Sequence, residues 1–455
     1  VGIVTAFGLP AIVGVTFVVL VNAIRSSFWF VPAVMTASAA LLSLGAIALD
    51  RTLVDGTSAL PGHWIYTGGP EGARQLLSTV AGSMVTVLGV VFSVTIVALQ
   101  LASSQFGPRL LRQFLRDTGN QVALGSFAAI FTYCLLVLRS VRGDDSDSGA
   151  FVPHFATTGG IALAVFGVGV LIYFIHHVAM SIQADVVVAM VSEDLRQAID
   201  GVFPEPRERD DAERSDESGT SHHDGPESMA EITSTSEGYI QAIAVDTLVR
   251  RAEQHAVVVH IRRNAGDFVM RGSTLAHVSP SDAAERLPGR IRQAFLIGRQ
   301  RTPSQDVGFG VRQLVEVAVR ALSPSINDPA TALAVVDRLG AALVQLGERR
   351  LPSRDHRGAD GIVRVVMEPV RIRDVIDAPL DNLRQHAVRE PAVALRVLEM
   401  IALVAARTDR RDLRAVLLQQ ARMLEAAARK TIGVPGDARD LAVRFERARQ
   451  ALAQR

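Results

Sequence analysis

Residues 77–116 read LSTVAGSMVTVLGVVFSVTIVALQLASSQFGPRLLRQFLR. No charged residue occurs between Leu77 and Pro108. The run exceeds the ~20 apolar residues that a helix needs to cross the hydrocarbon core of a bilayer. On an alternating spacing of four and three, Thr79, Ser83, Thr86, Val90, Ser93, Val97, Gln100 and Ser104 share one helix face. Six of these eight are polar, whereas the rest of the run is mostly Val, Leu, Ile, Ala and Gly. Such a ribbon is predicted to face other helices or water rather than lipid tails. In one reading, symmetry-related copies of the helix line a hydrated pathway, and the hydroxyls with the Gln100 amide replace part of a solute's hydration shell. In the other, the hydroxyls bond carbonyls one turn back or cross a helix contact, and Gly82 and Gly89 let backbones approach closely. Gly107-Pro108 ends the run. Arg109, Arg112 and Arg116 then alternate with Leu110, Leu111, Phe114 and Leu115, the pattern of a short basic amphipathic helix in the headgroup plane. The sharper reading of the same arginines is a positive ring at a pore mouth.

Working outward, three more runs are long enough to span a bilayer: residues 30–49, 120–138 and 153–179. Residues 1–23 form an extra apolar segment, a candidate fifth helix that lacks the basic start and small-residue cleavage site of a secretory signal. Arg25 beside Phe28-Trp29-Phe30 reads as an interfacial anchor, and Pro32 suits a first helical turn. Loop arginines tie: Arg25, Arg109, Arg112 and Arg116 on one side, Arg51, Arg74, Arg139 and Arg142 on the other. Arg196, beyond the last run, tips the expectation towards a cytoplasmic C-terminal domain. His154, Tyr173, His176 and His177 mark the ends of the last run. Adjacent histidines point about 100° apart on a helix, a poor chelating pair.

Composition narrows the function classes. Of 455 residues, 47 are Lys or Arg and 46 are Asp or Glu, a net charge of +1 that argues against a nucleic-acid binder. Charged residues make up 20%, and mean hydropathy is +0.26. Cys134 is the only cysteine, which excludes an intramolecular disulfide and a cysteine-rich zinc site. Lys430 is the only lysine, which removes the usual lysine chemistry of a P-loop or a biotin or lipoyl carrier unless that residue serves. HExxH, GxSxG and Walker A motifs are absent, so no enzyme activity, metal or cofactor is expected.

The chain divides into a transmembrane domain (24–200), an acidic linker (201–236), a small β-rich module (237–280) and a mainly helical domain (281–455). Residues 180–200 read as a continuation of the last membrane helix into solvent. Residues 204–236 hold ten acids and three arginines without an aromatic, and cannot build a core. His222-His223 lies within them. The segment VVVHIRRNAGDFVMRGSTLAHV (257–278) is similar to half of a biotinyl- or lipoyl-type barrel sandwich, in shape only, since it carries no lysine. Helical spacing recurs at 314–322, 330–346, 391–408, 412–429 and 437–454, with one strand at 361–368. Ser323-Pro324-Ser325-Ile326-Asn327-Asp328-Pro329 is a sharp connector with Asp328 as N-cap. Arg299, Arg301, Gln305, Asp306, Asn327 and Asp328 form a candidate pocket for an anion or small molecule, with Gly308-Phe309-Gly310 allowing close backbone approach. The plainer reading is a polar packing network.

Four segments together carry a resemblance: RSSFWFVP (25–32), residues 72–122, VLIYFIHHVAMSIQA (170–184) and ALSPSINDPATA (321–332). They resemble a bacterial family of predicted membrane proteins known only as a domain of unknown function. The resemblance runs from about residue 25 to the C-terminus and implies four membrane helices followed by a large soluble domain. It implies no activity and no site residues. The chain is therefore expected to be a mainly α, polytopic membrane protein of the bacterial plasma membrane with four to five spans. The functions weighed are a homo-oligomeric channel and a membrane-anchored regulatory or scaffolding protein. Expected partners are the lipid bilayer, further copies of the chain and an unidentified ion or small molecule, but no nucleic acid.

Overall fold

The computed structural model describes residues 29–54, 65–107, 117–143, 151–205, 229–281 and 287–453. The candidate helix at 1–23, the basic segment with Arg109, Arg112 and Arg116, and His222-His223 lie outside the described residues. The protein is mostly helical and divides into two compact units, residues 1–183 and 184–455.

Among the described residues, the first unit contains four long helices: α1 (Phe30–Val54), α2 (Pro70–Phe106), α3 (Thr118–Ser140) and α4 (His154–Ser181). All four are long and apolar enough to cross a membrane. Helix α3 is central and packs against the other three. Its small residues allow this. A Cβ on Gly125 would strike Met35 and Pro32 of α1, so the glycine marks a close helix crossing. The core runs through Leu77, Met84, Phe127, Ile130, Tyr133 and Phe174. Packing of this kind works by van der Waals contact, because lipid tails are as apolar as the side chains.

Helix starts follow local chemistry. Asp117 caps α3 by accepting from the Gly119 N–H at 2.9 Å. Helix α4 begins after Pro153, which offers no side-chain cap. Its cap comes from another helix. Asp50 of α1, 2% exposed, accepts from the Phe155 N–H at 2.9 Å and the Ala156 N–H at 2.8 Å. The carboxylate satisfies two orphan donors and sits at the positive end of the α4 dipole.

The second unit opens with α5 (Ala184–Val202). The predicted continuous extension of the last membrane helix is thus corrected: α4 stops at Ser181 and a separate helix starts at Ala184. Strand β1 (Ala230–Thr233) falls inside the predicted linker and adds to the edge of a sheet. It pairs through Ile232, which is buried.

Next come β2 (Gly238–Ile243), α6 (Val245–Gln254), β3 (Val258–Ile261), β4 (Phe268–Val269), β5 (Thr274–Ser279), α7 (Pro288–Arg292) and β6 (Phe295–Gly298). After two helices, α8 (Val307–Ala321) and α9 (Pro329–Glu348), the chain forms β7 (Asp355–Arg357) and β8 (Val363–Met367). Strands β7 and β8 complete a five-stranded sheet of order β1-β5-β3-β8-β7, with β3 and β8 parallel. Strands β4-β2-β6 form a second, three-stranded sheet. Residues of both sheets share one core (Ile240, Ile243, Phe295 with Val259, Val278, Val365), so the module is sandwich-like. Its fold is not local in sequence, since β8 comes from far downstream.

Helices α10 (Ile372–Ala387), α11 (Pro391–Arg407), α12 (Arg411–Thr431) and α13 (Pro435–Ala453) complete the unit. Helix α10 carries an internal Pro379 and dense charge, which hid it from a reading based on apolar spacing. Helix α9 is a fifth helix long and apolar enough to cross a membrane. It packs against α5, α8 and α11 and carries Asp337 in an ion pair with Arg396, the surroundings of a soluble core helix.

Candidate functional site

Helix α2 presents two unlike faces. Ala73, Leu77, Ala81, Met84, Val91, Thr95, Ala102 and Phe106 are buried against the bundle. The whole sequence-derived stripe lies on the other side: Thr79, Ser83, Thr86, Val90, Ser93, Val97, Gln100 and Ser104 are all exposed. Gly82 and Gly89 share that outer surface, and a Cβ at either would meet nothing within 4 Å. The stripe is not sealed inside the subunit. It faces whatever surrounds the four-helix unit.

Most of its hydroxyls are satisfied locally. Thr79 donates to the Gln75 carbonyl at 2.7 Å, Ser83 to Val80 at 2.9 Å, Thr86 to Gly82 at 3.0 Å and Ser104 to Leu101 at 2.8 Å. A hydroxyl bonded to its own helix is tolerable beside lipid. Ser93 and Gln100 differ, since neither side chain makes a hydrogen bond among the described residues. An exposed carboxamide in the span has two donors and one acceptor to satisfy, and its own helix does not satisfy them.

Two polar clusters in the first unit went unread in the sequence. At one end, Asp50 caps α4, the Tyr133 hydroxyl donates to the Ala156 carbonyl at 3.0 Å, and His154 Nδ1 lies 2.7 Å from the Tyr66 carbonyl oxygen. The Tyr66 N–H donates to Thr158 Oγ1 at 2.9 Å. At the other end, His177 Nε2 lies 2.5 Å from Asp117 Oδ2, and Tyr173 stacks on His177. Gly119 leaves room for that imidazole, because a Cβ there would fall on His177 Nε2. The legible signal was a lone acid at the edge of an apolar run, once for Asp50 and once for Asp117. His176, the neighbour of His177, is exposed. No group of three or more metal-ligating side chains converges among the described residues.

The candidate pocket of the second unit resolves into two separate places. Asp306 caps α8 through the Phe309 N–H at 2.9 Å and is paired with Arg301, whose Nε donates at 2.7 Å. The Arg301 guanidinium lies over the Phe309 ring. Gln305 clamps β2: its Oε1 accepts from the Ile243 N–H at 2.8 Å and its Nε2 donates to the Ile243 carbonyl at 3.3 Å. Gly266, at φ +95°, turns the chain against this pair, where a Cβ would collide with Asp306 and Arg301. Arg299 is exposed.

Asn327 and Asp328 lie beyond the other end of α8, 15 residues or ~22 Å away. Asn327 adopts φ +49°, and Asp328 caps α9 through the Thr331 N–H at 3.1 Å and its hydroxyl at 2.5 Å. One pocket holding all six residues is therefore not formed. The helix between them separates the sets: Asp306 and Asp328 each cap a helix, and Gln305 clamps β2.

Among the described residues, four long apolar helices in one compact unit mark a multi-pass membrane protein, with a sandwich-plus-helix second unit following them. The chain belongs to the family described as Predicted membrane protein (DUF2254), whose model matches residues 25–403. It is similar to uncharacterized proteins of Mycobacterium bovis and Mycobacterium tuberculosis. Each is 34% identical over 395 residues, 85% of this chain and 73% of the relative. No solved structure matches the chain.

Proposed function

We propose that the chain assembles in the bacterial plasma membrane as a homo-oligomeric channel, with the outer face of α2 turned towards a shared hydrated pathway and the second unit in the cytoplasm. The observation that carries this reading is the position of the stripe. Six polar positions lie on the surface of α2 that the described residues leave uncovered, beside exposed Val85, Phe92, Ile96 and Leu101, and Gln100 has no hydrogen-bond partner among the described residues. A buried, unsatisfied amide in hydrocarbon costs several kcal/mol, whereas the same amide facing water or a second copy costs little. Gly82 and Gly89 supply the close approach that neighbouring α2 helices need. The conducted species would be coordinated by hydroxyl, amide and water oxygens, not by a charged ring, because α2 carries no charge between Leu77 and Phe106.

The bonding of Thr79, Ser83, Thr86 and Ser104 to their own carbonyls favours a second reading. In it, the stripe only packs helices, and the protein is a membrane-anchored regulatory or scaffolding protein acting through its second unit. Flux through liposomes holding the purified oligomer separates the two. The channel reading expects conductance that Gln100→Leu and Ser93→Leu reduce about tenfold or more, the effect of adding on the order of 1.4 kcal/mol to the permeation barrier. Unchanged conductance in both variants, or no flux from a folded oligomer, leaves the scaffolding reading.

A further inference from the structure

One end of the sandwich module is closed by two turns. The Ser234 N–H donates to the Ser273 carbonyl and the Gly272 N–H to the Ser234 carbonyl, both at 2.8 Å. The Met270 N–H donates to Ser273 Oγ at 3.0 Å, and Gly272 takes φ +87° to make the corner. Three arginines converge on the carbonyls of this end, each through Nε. Arg263 donates to Thr274 at 3.3 Å, Arg271 to Thr235 at 3.1 Å and Arg292 to Thr233 at 2.7 Å. Thr233 and Thr274 are cross-strand partners, which fixes the three groups at one place. None of the three guanidinium groups has a carboxylate partner among the described residues. With Nε anchored, their two-pronged Nη faces are left to meet another anion.

The same end exposes apolar surface. Met270 is 65% exposed and Phe268 53%. Phe268 sits opposite Tyr239 in the β2–β4 pair, with the rings edge-on at 5.0 Å. The acid nearest in the chain to Arg263 and Arg271 is Asp267, whose carboxylate accepts from the Asn264 N–H at 2.9 Å; Glu231 is bonded to the Thr274 hydroxyl, and Glu237 is exposed.

We propose that this end of the module docks on the surface of a bilayer containing anionic phospholipid. Phosphate headgroups would meet the Nη faces of Arg263, Arg271 and Arg292, while Phe268 and Met270 enter the boundary between headgroups and acyl chains. Two features on one small surface select this occupant. Unpaired guanidinium groups call for anions, and exposed Phe and Met beside them call for hydrocarbon, which a lipid surface supplies together. The first unit also holds the chain at a membrane, so a weak contact is made at high effective concentration. The proposal does not depend on whether the first unit conducts.

The test uses the full chain in nanodiscs, with Cys134→Ala as background and a nitroxide label on Met270→Cys. Collision with oxygen, which concentrates in lipid, is compared with collision with a water-soluble nickel chelate. One set of nanodiscs is phosphatidylcholine, and the other is phosphatidylcholine with phosphatidylglycerol. The expected result is a rise in the oxygen-to-nickel ratio with phosphatidylglycerol only, and none for a control label on Leu403→Cys. Changing Arg263, Arg271 and Arg292 together to Gln should reverse the rise and lower the docking equilibrium on the order of a hundredfold, about fivefold per arginine. Three results would overturn the proposal: a label that stays in water in both lipids, a label shielded from both reagents as in a protein contact, or insertion that ignores lipid charge and the three substitutions.

Discussion

The two units satisfy their polar groups in different proportions, and among the described residues only the second adds networks of ion-paired side chains. In the membrane unit, side chains bond to backbone: Asp50 to the first N–H groups of α4, Tyr133 to the Ala156 carbonyl, and Thr36, Thr95, Ser126 and Thr132 to carbonyls of their own helices. Among the described residues, its Glu71–Arg74 ion pair and its Asp117–His177 contact involve residues at helix ends. In the second unit, side chains bond to backbone too, as at Gln305 and Asp306, but they also bond to one another. Arg396 links Asp337 of α9 to Glu399 of α11, and Arg444 of α13 closes on Glu399 at 2.6 Å. The difference follows from solvent. Hydrocarbon cannot hydrate an open backbone group and penalises a separated charge, so neutral bonds to the backbone prevail there. Water screens charges and makes networks of long side chains cheap to form and individually weak.

Substitutions should separate the two regimes in graded fashion. The largest effect is expected at Asp50→Ala, which orphans two buried N–H groups at ~1–3 kcal/mol each. Thermal unfolding in detergent should show a loss of roughly 4 kcal/mol from the membrane unit, with Asp50→Asn losing less because one acceptor remains. If Asp50→Ala is neutral, backbone capping does not organise this unit. Next comes Leu339→Ala in α9, fully buried in the second unit, with an expected loss of about 3 kcal/mol in urea unfolding.

Third is a pH effect confined to the second unit. His356 lies in β7 with a buried, unpartnered Nε2. Burial holds its pKa below the ordinary value of 6.5, against the opposing pull of Asp246 and Asp355. The unfolded state therefore takes up the proton first. Stability is full above about pH 6.5 and falls as pH drops below it. A urea midpoint that declines from pH 7.5 to 5.5, and declines less in His356→Phe, would bear this out.

Smaller still is Arg444→Ala. Arg444 and Glu399 are partly exposed, so the loss should be only ~0.5–1 kcal/mol, shrinking in high salt. The Arg444 hydrogen bond holds the Glu399 carboxyl below its ordinary range, so what the pair contributes disappears as the carboxylate protonates in acid. Thr86→Val should change least, within about 0.5 kcal/mol, because its hydroxyl serves only its own helix. A lower mass than the wild type in that variant, read by light scattering, would show instead that the chain associates and that the stripe hydroxyls bond across subunits.

Much of this was legible from residues alone. The absence of charge from Leu77 to Pro108 required a span, and the four-three spacing is enough to place Thr79 through Ser104 on one face. Asp328-Pro329 announced the start of α9, and it starts there. Local rules of length, period and capping suffice for such features because they involve neighbours in the chain. They did not reveal α10, where Pro379 and charge mask the apolar face, or β1, whose single buried Ile232 has meaning only beside β5.

Sequence by itself determined that this chain enters a membrane, that α1 to α4 are apolar enough to cross it, and that α2 has a polar edge. Tertiary structure alone decided which way that edge faces, that Asp50 belongs to the start of a helix over a hundred residues away, and that the suspected pocket is two distant caps. The physical reason is the same in each case. Hydropathy and period are sums over adjacent residues, whereas the partner of a carboxylate or an amide is set by whichever backbone folding brings within about 3 Å of it.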